Sequence, residues 1–247
     1  MNVKIAVAIM ILLFNIICGL PELQNTGERI NEKRKASDKQ ESVSTVNSVE
    51  KDEESIRKLL QDFTDAAKEK NKDDILQYFA LNEYIEGYNL EMMKKDFGEM
   101  AKKPTYEERL LNMEKKYNLF LFGFTLTEDE MAENELALDD AIKSLQQLNL
   151  NELSIQRVDT PNEEKTETEA FEKMIRNRCT RYGAESIAYR TILYSCGENT
   201  YYCGFELFKY NGTWKINELR ASVTLVDANI VTTTCSEKEY LEIIEKK

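Results

Sequence analysis

Residues 201–220 constrain the fold more sharply than any other stretch of this 247-residue chain. Two runs rich in strand-forming residues, Tyr201-Tyr-Cys-Gly-Phe-Glu-Leu-Phe-Lys-Tyr and Thr213-Trp-Lys-Ile-Asn-Glu-Leu-Arg, flank Asn211-Gly212. Asn and Gly tolerate positive φ at the two centre positions of a type I′ turn, whose twist matches that of paired strands, so the segment reads as a hairpin. The turn then sets the register. Lys209 faces Trp214 and Leu207 faces Ile216, but uninterrupted pairing would place Phe205 against Glu218. A one-residue bulge near Asn217-Glu218 restores apolar pairing, with Phe205 opposite Leu219, Cys203 opposite Ala221 and Tyr201 opposite Val223.

Upstream, Ser186 to Cys196 reads as another long strand and Glu152 to Val158 as a further one. A helix from about Glu163 to Arg181 separates them, with Phe171, Met174 and Ile175 on its apolar face. Nearer the N-terminus, Ile56, Leu59, Leu60, Phe63 and Ala67 recur at helical spacing after Asp52, a residue suited to capping. A short helix follows over 73–79 and another over 90–102. Pro104 suits the first turn of the next, which carries Tyr106, Leu110, Met113 and Tyr117. Thr127-Glu-Asp-Glu130 has the form of a capping box opening a helix to about Leu148. Leu119 to Leu126 is a short apolar run that suits a strand as well as a helix, because periodicity does not separate the two at that length. Helices first and strands last describe an α+β domain in which helices pack on an antiparallel sheet.

Location follows from residues 1–19. Lys4, the apolar run Ile5 to Phe14, and Ile16-Ile-Cys-Gly19 have the form of a secretory signal. A membrane span needs about 20 apolar residues, and this run is shorter and contains Asn15. Cleavage after Gly19 discards Cys18; cleavage before Cys18 makes it the lipid-bearing first residue of a bacterial lipoprotein, and both routes stay open. Residues 20–52 are polar and mixed in charge, too poor in apolar side chains to offset the entropy of ordering, and read as a disordered linker or tether. That leaves 53–247 as one domain in a secreted or cell-surface protein. With 45 acidic against 33 basic residues and a net charge of -12, the chain is unsuited to nucleic acid or an anionic bilayer, so membrane contact would run only through a lipid anchor.

The chain has no histidine. Ser-His-Asp and Cys-His nucleophile systems are therefore excluded, as are His-based zinc sites, and no glycine-rich phosphate loop occurs, so no metal and no cofactor are expected. The acidic clusters Glu128-Asp-Glu130 and Asp139-Asp140 lack the spacing of a calcium loop. In the oxidising compartment implied by the leader, Cys179, Cys196, Cys203 and Cys235 are expected to form two disulfides, with three pairings open. Cys196 and Cys203 flank Gly197-Glu-Asn-Thr200 and form the expected close pair if the hairpin loop sits at Asn199-Thr200; a loop at Glu198-Asn199 sets Cys196 across from Tyr201 instead. Asn211-Gly-Thr213 is the only N-x-Ser/Thr acceptor, glycosylated if the source is eukaryotic and bare if it is bacterial.

Ile56-Arg-Lys-Leu-Leu-Gln-Asp-Phe63 with Asp74-Ile-Leu-Gln-Tyr-Phe-Ala80 resembles the opening helix pair of the nuclear transport factor 2-like (SnoaL-like) superfamily, and Phe208-Lys-Tyr-Asn-Gly-Thr-Trp-Lys-Ile216 is similar to its last strand pair. The resemblance implies a cone, helices over a curved antiparallel sheet with a pocket between, here with a helical insertion at about 84–150. It also implies an Asp-His or Asp-Tyr catalytic pair in the enzymes, of which the histidine is missing and no Asp aligns with the base. The expectation is a non-catalytic extracytoplasmic module that binds a small apolar ligand or a protein through the concave sheet face, at Phe205, Leu207, Trp214 and Ile216, unless those side chains simply pack beneath the helices. A homodimer is a further partner class. Two alternatives accompany it: a lipid-anchored surface protein held through Cys18, and a lyase or isomerase using Glu206 or Glu218 with Tyr194.

Overall fold

The computed structural model describes residues 38–125, 148–162, 168–220 and 231–245. The leader with Cys18, the first part of the linker, the helix expected after Thr127 and the pairings of Ala221 and Val223 lie outside the described residues. The chain divides into two units, Met1–Val46 and Asn47–Lys247. The first contributes helix over 38–46; the sheet and its core belong to the second.

Helix α1 spans Asp38–Glu69, so it takes in residues 38–52 that composition assigns to the linker. The physical reason is that helix propagation from an existing turn is cheap, and the Glu, Lys and Gln of this stretch are good helix formers even without an apolar face. Asp52 consequently sits inside the helix rather than at its cap. Its Oδ1 accepts from Lys209 Nζ at 2.6 Å and from Trp214 Nε1 at 3.2 Å, which ties the helix to the final hairpin.

Three short helices follow: α2 (Lys72–Leu76), α3 (Asn82–Gly87) and α4 (Leu90–Phe97), the last continued by a 3-10 turn over Gly98–Met100. Helix α5 (Tyr106–Gly123) starts from Thr105, whose side chain and that of Glu108 form a capping box; Pro104 lies before the cap and outside the first turn. The run from Leu119 is the end of this helix, not a strand. Met113, Tyr117, Phe120, Leu121 and Phe124 are all buried, and their spacing covers one helical face.

The sheet is antiparallel, in the order β1 (Ser154–Asp159), β2 (Ser186–Cys196), β3 (Asn199–Tyr210), β4 (Thr213–Arg220), with β5 (Thr232–Thr234) also paired to β3. Helix α6 (Glu169–Tyr182) joins β1 to β2, and α7 (Glu237–Ile244) closes the chain. Helices on a curved antiparallel sheet make the domain α+β, as expected. The final hairpin has the expected register: Lys209 faces Trp214, Leu207 faces Ile216, and Phe205 faces Leu219 beyond a shift between Glu206 and Leu207. Asn211 and Gly212 take φ of 49° and 74°, as a type I′ turn requires. The open edge of β4 is covered by chain, since Ala80 N donates to Ile216 O at 2.9 Å and Ile216 N to Tyr78 O at 2.8 Å.

Alternation along β3 sends Cys203, Phe205 and Leu207 to one sheet face and Tyr202, Glu206 and Phe208 to the other. The first face meets α1, α2 and α5 in the main core. The second is covered in two places, by α6 over Ile187, Phe208 and Tyr210, and by α7 where Tyr240 packs on Leu193.

The second hairpin departs from the disulfide expectation. Its turn is Gly197-Glu198, which sets Cys196 opposite Asn199 and Cys203 opposite Ile192. Cys203 lies four residue steps along β3 from Asn199, the position facing Cys196, about 13 Å at the usual rise and well beyond disulfide reach. Cys179, Cys196, Cys203 and Cys235 are all free thiols, so the two expected bridges do not form. Gly197, the first turn residue, has φ of 62° and draws the turn toward Cys196.

Candidate functional site

The four residues expected to line a pocket are brought together, but in the interior. Leu207 and Ile216 are fully buried, Phe205 is 2% and Trp214 6% exposed. Phe63 of α1 lies edge-on to Phe205 at 5.7 Å and to Phe79 at 5.9 Å, and Phe120 packs against Tyr194 at 5.9 Å, so aromatic side chains from the helices fill the space over the sheet. Burying each such side chain contributes about 1.5–3 kcal/mol, a sufficient reason for the pattern of apolar residues.

The carboxylate and tyrosine of the enzymatic alternative are not brought together. Tyr194 pairs with Tyr201 on the core face, and its hydroxyl meets Thr64 Oγ1 at 3.3 Å. Glu206 points to the other face, and Glu218 forms an ion pair with Lys116 at 3.1 Å. The phenol across the strands from Glu206 is that of Tyr189. Burial, with the Glu206 carboxylate beside it, holds the Tyr189 phenol well above the ordinary tyrosine range, so it stays protonated at neutral pH.

A different constellation forms around Glu206, the one carboxylate among the buried side chains of the described residues, at 1% exposure. Arg178, from the inner face of α6, places Nη2 2.6 Å from Glu206 Oε1. Asn217 Nδ2 donates to Oε2 at 2.7 Å, and Arg220 at the end of β4 reaches Oε2 with Nη2 at 3.6 Å. Asn217 is the extra residue of the bulge, and the bulge is what turns its amide toward Glu206.

Asn217 is held in turn by Arg109 of α5, which donates to its main-chain O at 2.8 Å, its Oδ1 at 2.9 Å and to Ala80 O at 3.0 Å. The Arg109 guanidinium is stacked 4.1 Å over the Tyr84 ring, and burial lowers its pKa from the ordinary arginine value. These acceptors are carbonyl oxygens, not carboxylates. Sequence reasoning reaches Glu206 as a strand carboxylate but misses Arg109, Arg178 and Arg220. The cue available was the unpaired Glu206 at an otherwise apolar strand position, which demands a cation from elsewhere in the fold.

Asn211 is exposed at its turn, as an acceptor site requires. The described residues contain no group of three or more His, Cys, Asp or Glu side chains placed to hold a metal ion, and no described helix is long and apolar enough to cross a membrane. Burial pushes the thiols of Cys203 and Cys235 up to about 12, so neither is a nucleophile at neutral pH.

No family model matches the chain, and no curated protein matches it in sequence. Among solved structures, a cystatin-like protein from Ruminococcus gnavus ATCC 29149 is similar, at 13% sequence identity and a TM-score of 0.48. The similarity covers 79% of this chain and 47% of that one, so the chain spans less than half of that protein's length.

Proposed function

We propose that the protein is a non-catalytic, extracytoplasmic binding module of the nuclear transport factor 2-like kind, and that its recognition surface is the sheet face carrying Glu206 rather than the concave face. The observation that carries this is the contrast between the two faces. Over the first, Phe63, Phe120 and Phe205 leave the apolar residues covered. On the second, Arg178 and Arg220 keep 22% and 34% of their side chains accessible around a buried carboxylate, a pattern of oriented but reachable polar groups suited to recognition. Kinship with the superfamily is supported by the opening helix pair and the Asn-Gly hairpin in their family order. Export is supported by the form of residues 1–19.

The test is mass spectrometry of the mature N-terminus from cytoplasmic, membrane and medium fractions, combined with photo-crosslinking from an analogue placed at exposed Asn177, next to Arg178. Export predicts a new N-terminus near residue 20, or an acylated Cys18 in the lipoprotein route, and a crosslinked partner outside the cell. A full-length chain confined to the cytoplasm, or crosslinking no greater from Asn177 than from exposed Lys238, would overturn the reading.

A further inference from the structure

We propose that Arg220, beside the Glu206 carboxylate that Arg178 and Asn217 hold, forms a binding site for a small oxyanion, a carboxylate or phosphate group. The proposal rests on the reading of this sheet face as the recognition surface and names its ligand chemistry. Glu206 gives its short contacts to Arg178 and Asn217, at 2.6 and 2.7 Å, whereas Arg220 stands off at 3.6 Å. Among the described residues this is the one carboxylate Arg220 meets, and a third of its side chain remains accessible. A guanidinium has five donors in a planar fork suited to a bidentate oxyanion, and one long contact leaves most of that capacity unused.

Charge points the same way. Arg109 and Arg220 approach the cluster from α5 and β4, and Arg109 is satisfied by carbonyl oxygens alone. Glu218, the acid directly across from Glu206, is taken by Lys116. Among the described residues, Arg109 and Arg220 therefore add positive charge around a buried carboxylate in a chain of net charge -12. Asn217, itself fixed by Arg109, keeps Glu206 in place and so orients the guanidiniums before any anion arrives.

The probes are inorganic phosphate and acetate, each titrated against chloride at constant ionic strength, with the melting temperature and phosphorus line width of phosphate as readouts. At about ten times its Kd, the bound anion should raise the melting temperature by roughly 3–6 °C over chloride. Arg220→Gln should lose that rise while still folding, because Arg178 and Asn217 continue to hold Glu206. Arg220→Lys should retain part of it, and Lys238→Gln, far out on an exposed side chain, all of it. A response to phosphate alone assigns a phosphoryl ligand, and a response to acetate assigns a carboxylate. No rise beyond chloride with either probe, or an undiminished rise in Arg220→Gln, overturns the proposal. The outcomes separate from those of the module reading: a cytoplasmic protein that binds phosphate through Arg220 sinks export alone, and an exported protein indifferent to both anions sinks the oxyanion site alone.

Discussion

Glu206 shows how much a single side chain can commit. Replacing it by alanine leaves two guanidiniums and the Asn217 amide without their shared acceptor, the kind of loss that costs about 3–5 kcal/mol when the charges are fully buried. Because Arg178 and Arg220 are 22% and 34% accessible, water recovers part of it. Glu206→Ala is therefore expected to lower stability by roughly 2–4 kcal/mol in urea unfolding, and a loss below about 0.5 kcal/mol would mean the cluster is not a linchpin. A second constraint is steric: a Cβ added at Gly87 would stand 2.1 Å from the Tyr182 carbonyl oxygen, so α3 and the end of α6 touch backbone to backbone. Gly87→Ala should cost more than about 2 kcal/mol, far above the small gain expected for Gly→Ala in an unhindered helix. The cysteines make a third test. In the native protein at pH 8, Cys179 and Cys196, only half-buried, should react with a thiol reagent well before Cys203 and Cys235, whose thiols are buried and raised to about 12. All four should react once the unreduced protein is denatured, and any of them found blocked would contradict the free-thiol structure.

At the level of elements, legibility tracked how local the deciding interaction was. The Asn211-Gly212 hairpin and its bulge were readable because turn geometry and apolar pairing act within about 20 residues. Nothing lies within 4 Å of a Cβ built at Gly212, so its φ of 74° is the whole obstacle to a side chain there. Gly212→Val should accordingly cost about 1–2 kcal/mol through backbone strain alone, and a variant as stable as the parent would remove the turn assignment. The β2–β3 hairpin was misjudged for the opposite reason. Gly197-Glu-Asn-Thr200 offers several two-residue loops, and each shift of one residue changes which side chain faces Cys196, so composition does not choose among them. The capping boxes at Thr105/Glu108 and Ser236/Glu239 were written in the sequence and mark the true starts of α5 and α7. Pro104, which suits a first helical position, lies two residues ahead of Tyr106 and before the cap.

Across the whole molecule, buried phenols set the alkaline limit of stability. Burial raises Tyr84, Tyr117, Tyr189, Tyr194 and Tyr240 above the ordinary value of 10.0. The unfolded chain thus loses these protons first. Their contribution is complete below pH 10 and is lost as pH rises from there toward the folded values, so unfolding should set in above pH 10 and release several phenol protons together. Absorbance of tyrosinate followed alongside circular dichroism checks this; phenols that titrate fully while the fold persists would contradict it. Asp159 gives an acid limb of opposite sign. Burial raises its pKa, but hydrogen bonds from Arg157 and Tyr240 outweigh that and leave it below the ordinary 3.8. Its contribution is present above pH 3.8 and lost as pH falls through the folded value.

By itself the sequence determined the α+β class, the apolar face of α1, the span of β2 and the register of the last hairpin. Each depends on periodicity or turn chemistry that acts between neighbours along the chain. Only the tertiary structure decided that Phe205, Leu207, Trp214 and Ile216 are covered by Phe63 and its neighbours, that the four thiols are apart, and that Arg109, Arg178 and Arg220 gather near Glu206. Those outcomes join residues more than 100 positions apart, as Arg109 to Asn217 and Phe63 to Phe205, and no local pattern encodes which distant cation will answer a buried strand carboxylate.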